Sequence, residues 1–145
     1  MSIANKALVR RWFEEVWNQG RLEVIDELLA PDAIAHHLNG PGQDAHGREG
    51  FRKFYETMHG AFPDAKFSLD ELIAEGDLVA VRWSGRMTHK GGQLGFAATN
   101  RPVALTGVNI IRVAGGKLVE GWDSWDRLSM MRQLGVLPAT LAANS

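Results

Sequence analysis

The chain of 145 residues has no cysteine, which excludes disulfides, thiolate nucleophiles and thiolate metal sites. It has no excess of charge either: 16 Lys and Arg against 17 Asp and Glu leave a formal net charge of −1, without a basic run. Electrostatic capture of nucleic acid or of an anionic membrane therefore has no footing. No apolar stretch is long enough to cross a bilayer, and the opening Met1-Ser2-Ile3-Ala4-Asn5-Lys6 lacks the apolar core of a secretion signal. A cytoplasmic protein is expected. Phosphate loops and nucleophile elbows are also missing. Gly91-Gly92-Gln93-Leu94-Gly95 lacks the GxGxxG order and precedes no helix, so it reads as a mobile mouth or a subunit contact. Ser84 and Ser124 have no adjacent base.

What is present is patterning. Leu8, Trp12 and Val16, with Val9, Phe13 and Trp17 beside them, form the apolar stripe of a first helix that stops at Asn18-Gln19-Gly20. Leu22 to Leu29 makes a second helix, ended by Pro31, and Asp32 to Leu38 a short strand. Phe51, Phe54, Tyr55 and Met58 mark a third helix. Beyond Pro63 the period becomes two. Phe67, Leu69 and Ile73 share one face, and after a turn at Glu75-Gly76-Asp77 so do Val79, Val81, Trp83, Met87 and His89. Strands over Val103–Val113 and Lys117–Trp125 flank Gly115-Gly116. A last helix is capped by Asp126 and stopped by Gly135, with Leu128, Met131 and Leu134 on one face. Helices first and antiparallel strands later predict an α+β domain over residues 1–138, with a tail at 139–145. Helices packed on one face of a strongly curved sheet enclose an apolar pocket.

Within that pattern Asp123 stands out, in Glu120-Gly121-Trp122-Asp123-Ser124-Trp125-Asp126. A carboxylate on an apolar strand must raise its pKa or find donors. Strand parity puts Asp123 with Val119, Gly121 and Trp125, and Leu118, Glu120, Trp122 and Ser124 on the other side. The neighbouring strand carries Leu105, Gly107, Asn109, Ile111 and Val113 on one face, with Asn109 its polar exception, and the hairpin brings Asn109 and Asp123 within a few residues of each other on one face. The two suit proton abstraction; a carboxylate held by backbone donors is the bland alternative. His36 and His37 are adjacent, so at most one enters the interior, and neither has a partner at metal-ligand spacing. Metal is not expected. Trp12, Tyr55, Trp83 and Trp125 are further candidates to line a pocket, and His89 to sit at its rim or at a solvent-facing strand end. His46 and His59 read as surface residues.

Several segments together resemble a known family. They are Val9-Arg10-Arg11-Trp12-Phe13, Trp17-Asn18-Gln19-Gly20, Phe62-Pro63-Asp64, Glu75-Gly76-Asp77-Leu78-Val79-Ala80, Thr88-His89-Lys90-Gly91, Gly115-Gly116-Lys117-Leu118-Val119-Glu120, Trp122-Asp123 and Arg132-Gln133-Leu134-Gly135. In this order they are similar to the SnoaL-like polyketide cyclases (ester cyclases), within the nuclear-transport-factor-2-like, ketosteroid-isomerase-like cone fold. The resemblance covers nearly the whole chain. It implies cofactor-free catalysis on an apolar, polyketide-like substrate. An aspartate would remove a proton α to a carbonyl and start an intramolecular aldol closure. By motif position that base is Asp123, while a histidine of those enzymes falls at Asn109. An amide hydrogen-bonds an enolate but supplies no cationic donor.

The expectation is thus a cyclase-type or isomerase-type enzyme with Asp123 and Asn109 catalytic, and His36 or His37 orienting the substrate. The rivals are a non-catalytic binder of hydrophobic molecules, a cofactor-free hydroxylase and an epoxide hydrolase. The last needs an arginine between acids, and Arg112 has the wrong parity. A homodimer or higher homo-oligomer is expected from the fold, with Val108, Ile110 and Trp122 needing cover.

Overall fold

The computed structural model describes residues 2–40 and 42–137; the expected tail at 139–145 lies outside them. Helix α1 (Ser2–Arg11) runs on as a wider-turned π-helical segment, Trp12–Asn18, and α2 (Glu23–Leu28) follows. Then come β1 (Leu29–His36), the two-residue β2 (Ala45–His46) and α3 (Gly47–Ala61). Four long strands succeed one another: β3 (Lys66–Glu75), β4 (Leu78–Thr88), β5 (Pro102–Ala114) and β6 (Lys117–Trp125). The last element is α4 (Arg127–Leu134). The strands form one curled sheet in the order β2-β1-β6-β5-β4-β3, antiparallel throughout except where β1 runs parallel to β6. The α+β class expected from sequence is the one observed.

The helical layer buries Val9, Trp12, Phe13 and Val16 from the first helix, and Phe51 and Tyr55 from α3. Inward residues of β4 and β5 face them: Val79, Val81, Trp83 and Met87, then Val103, Leu105, Ile111 and Val113. This alternation is the period-two pattern made physical. At α4, Asp126 accepts a hydrogen bond from the Ser129 N–H at 2.9 Å, and Gly135 takes the left-handed φ of 75° that ends the helix. Its buried face differs from expectation: Met130 and Leu134 go inward, while Leu128 is exposed.

Two bulges decide what faces the interior. In β3, Leu69 pairs with Trp83 but Glu71 with Arg82, so the chain gains a residue at Asp70. Leu72 and Ala74 then pack on the core, and Ile73, expected inward, is 64% exposed. In β6, Leu118 pairs with Val113 but Glu120 with Arg112, leaving Val119 as the extra residue. Leu118, expected to point away, is buried as a result. Beyond the bulge Asp123 stands opposite Asn109. Unbroken pairing from the Gly115-Gly116 turn would have set Asn109 against Trp122 instead, and Asp123 would have faced outward.

Candidate functional site

A cavity of about 130 Å³ opens between the helices and the sheet. Its walls are mainly aromatic: Trp12 and Trp17 from the first helix, Phe51, Phe54 and Tyr55 from α3, Trp83 from β4 and Trp125 from β6. Asp123, Asn109 and Glu120 are the carboxyl and amide groups in its sheet wall. Trp12 and Phe51 rings meet at 4.7 Å, and Trp17 touches Phe51, Phe54, Tyr55 and Phe67 at 5.2–6.0 Å, so one side of the cavity is a continuous aromatic cluster.

Burial drives the Asp123 carboxyl from its ordinary 3.8 up to about 7, with the charge of His36 pulling slightly the other way. Among the described residues no hydrogen bond offsets that burial. The bland reading, a carboxylate satisfied by backbone donors, is therefore not what the geometry presents.

Asn109 is held by a neighbour. The Trp83 indole Nε1–H donates to Asn109 Oδ1 at 3.1 Å. An indole N–H is a donor only, so the amide must turn its oxygen toward Trp83, which leaves the –NH₂ group for the cavity. The reach depends on Gly107, which pairs with Trp83 across the β4–β5 ladder. A Cβ at Gly107 would lie 2.3 Å from Trp83 Cζ2, so the indole lies where only glycine leaves room.

Trp12, Tyr55, Trp83 and Trp125 line the cavity as expected, but the three candidate histidines do not. His36 pairs with Trp122 in the parallel β1–β6 ladder, and the two rings stack at 5.4 Å. It therefore shares the Trp122 face, opposite to that of Asp123. There its Nε2 lies 2.7 Å from Glu120 Oε2 and its Nδ1 3.2 Å from Asp44 Oδ2. The Glu120 bond chiefly, and Asp44 secondarily, raise its pKa against the opposing effect of burial. His37 leaves the strand with φ 63°, and its Nδ1 accepts from the Gly42 N–H at 2.9 Å. His89 is 0% exposed, neither rim nor solvent-facing. Its ring sits between Phe62 and Phe96, and Nδ1 accepts from the Thr99 N–H at 3.0 Å, pinning both ends of the β4–β5 loop. That loop is anchored on α3, with Lys90 and Gly91 N–H groups donating to Ala61 O at 2.8 and 3.2 Å.

Sequence reasoning missed His59, which lines the cavity and stacks on Tyr55 at 5.4 Å; its i+4 spacing from Tyr55 was the available signal. It also missed Glu120, a lining residue carried beside the bulge. Arg112 is not among the lining residues; it pairs with Asp77 at 2.8 Å and with Glu120 at 3.7 Å and lies over the Trp122 ring at 5.8 Å, and it is not among the groups that act on Asp123. Among the described residues no three His, Asp or Glu side chains converge as a metal-ligand set. No helix among them is long and apolar enough to cross a membrane.

A family model described as SnoaL-like polyketide cyclase matches residues 7–134. A search of curated proteins finds no match. Among solved structures, the chain is similar to wild-type IdmH, a proposed polyketide cyclase from Streptomyces antibioticus. The two share 34% identity over 91% of this chain and 99% of that one, with a TM-score of 0.79. AclR, a proposed hydroxylase from Streptomyces galilaeus, shares 28% identity over 95% and 100%, with a TM-score of 0.82. An NTF2-like protein of unknown function from Burkholderia pseudomallei shares 23% identity over 90% and 97%, at a TM-score of 0.74, a likeness of fold.

Proposed function

The chain belongs to the SnoaL-like polyketide cyclase family, and on that premise we propose that it is a cofactor-free acid–base enzyme acting on an apolar, carbonyl-bearing substrate of polyketide type. The observation that carries this reading is Asp123. It is a carboxyl at about 7 in an aromatic cavity, without a hydrogen bond among the described residues, and with Asn109 opposite it on the next strand. A base with that pKa is half ionised at neutral pH and matched in strength to an activated α-proton.

In the reaction, Asp123 takes the proton from the carbon α to a carbonyl. The C–H electron pair moves into the enolate, and the Asn109 amino group donates to the enolate oxygen. The enolate carbon then attacks a second carbonyl of the same molecule. A C–C bond forms, and the new alkoxide is protonated by the acid form of Asp123. No electrons leave or enter the substrate. A cavity of about 130 Å³ holds about one aromatic ring, so a longer substrate extends beyond it.

The test is deuterium uptake from D₂O into the central carbon of 1-phenylbutane-1,3-dione, a one-ring 1,3-diketone, followed by NMR. The chain is expected to accelerate the exchange and Asp123→Asn to reduce it at least 100-fold, with the affinity for the diketone kept. Equal loss of exchange and affinity, or loss of neither, would instead point to a hydrophobic binding protein. The likeness to AclR supports a second reading, cofactor-free hydroxylation, for which product formation depends on dioxygen.

The outer face of the sheet supports a homodimer: Val108 and Ile110 are 47% and 42% exposed there, opposite Ser124 and Trp122 on β6. Ile110→Lys is expected to halve the mass seen by light scattering.

A further inference from the structure

Arg127, the first residue of α4, is the cation nearest to the aromatic wall at the β6 end of the cavity. Its guanidinium carbon lies 4.9 Å from the centre of the Trp125 ring, and Trp125 lines the cavity. The Trp125 indole N–H in turn donates to Leu38 O at 3.4 Å, and Leu38 is a lining residue too. A Cβ placed on Gly40 would sit 3.8 Å from the guanidinium. Arg127 is thus an exposed residue that lies over the Trp125 ring and beside the turn that follows β1.

The group is exposed, and among the described residues it has no ion pair. Burial holds its pKa below the ordinary arginine value, and among the described residues no carboxylate acts on it. The nearest acid in sequence, Asp126, is committed to the α4 cap through Ser129. Every other arginine with a clearly perturbed pKa, namely Arg11, Arg82 and Arg112, is paired with carboxylates. Stacking on an aromatic face stabilises a guanidinium from above and leaves its N–H edge available in plane. Such an edge donates two parallel hydrogen bonds to a carboxylate.

We propose that Arg127 forms an anion-recognising subsite at the rim of the cavity. The substrate is then an apolar ring system carrying a carboxylate or similar anionic group at the end that emerges past Trp125. This deepens the reading given above and rests on it in one respect, that the cavity is where the substrate binds. The chemistry at Asp123 would lie within the cavity, with the anion held outside it, so the two charges need not meet.

Two fluorescent probes of one skeleton test this. 1-Anilinonaphthalene-8-sulfonate carries an anionic group, and N-phenyl-1-naphthylamine is the same molecule without it. Both are expected to bind the intact chain and to displace each other. Arg127→Gln should weaken the sulfonate about tenfold and leave the neutral probe within twofold. Arg127→Lys, which keeps the charge but loses the planar stack, should fall between, and also checks that the fold survives substitution. The sulfonate preference should shrink as salt rises. If Arg127→Gln weakens both probes equally, Arg127 only packs against Trp125 and the subsite is overturned while the cavity reading stands. If neither probe binds the unsubstituted chain, both fall together.

Discussion

A carboxyl group that leaves water without a partner makes the folded state less favourable whenever it is ionised, and Asp123 is such a group. Its pKa stands at about 7 in the folded chain against an ordinary 3.8. The folded state therefore binds the proton more tightly than the unfolded state, and stability declines as pH rises from about 4 to 7. At about 1.4 kcal/mol per tenfold in proton affinity, the loss above pH 7 is on the order of 4 kcal/mol. Asp123→Asn removes that loss while destroying the base. Its melting temperature should exceed that of the parent by several degrees at pH 8, and the gain should shrink toward pH 4.5. A constant difference across that range would mean that the carboxyl is not strained by burial. Gains in stability on removal of a working group are the usual mark of a site shaped for chemistry.

Between residues, Gly107, Trp83 and Asn109 act as one element of the sheet. Gly107 lets the indole lie across β5, and the indole fixes the amide that faces Asp123. Trp83→Phe keeps an aromatic ring but removes the N–H donor, so the diketone exchange rate should fall about tenfold with little change in affinity. Gly107→Ala pushes a methyl group into the ring and should lower stability by about 1–3 kcal/mol. Combining the two should recover part of that loss, because the smaller ring no longer collides. Thermal melts of the two single variants and the double variant check this; simple additivity would break the link. These elements also mark how far the sequence could be read. The strands, the helices and the nearness of Asp123 to Asn109, though not their direct pairing, followed from period and turn residues. The bulge at Val119 did not, since one inserted residue leaves no periodic signal, and it alone turns both Leu118 and Asp123 inward. His36 was misplaced for a related reason. Its face depends on the parallel register with β6, a contact between distant segments that no local pattern reports. His59 is exposed, as its sequence reading had it, and Arg127 is exposed too; that they stand beside Tyr55 and Trp125 at the cavity depends on the opposing wall, which no local pattern reports.

At the scale of the whole molecule the titrating groups act in two opposed sets. Glu14, Glu15, Asp44 and Asp64 have pKa values lowered by hydrogen bonds and nearby cations, so they stabilise the fold above their unfolded values and stop doing so as pH falls. His36 has a raised value, so its contribution is complete below its unfolded value and is lost as pH rises through its folded one. Asp123 adds its own decline between about pH 4 and 7. The melting temperature should therefore peak on the mildly acid side and fall toward pH 8.5. His36 and Asp123 are also coupled, since the imidazolium holds the Asp123 value down. His36→Gln deletes that charge. It should reduce stability most near pH 5.5 and least near pH 9. The acid limb of the exchange rate should move to higher pH at the same time, because Asp123 then gives up its proton less readily. A shift to lower pH, or none while the acid-side stability falls, would place His36 in the β1–β6 seam alone and outside the tuning of the base. Such an outcome would leave burial as the sole control on Asp123. It would also confine the pH response of catalysis to the cavity itself, separate from the ion pairs that hold the sheet together.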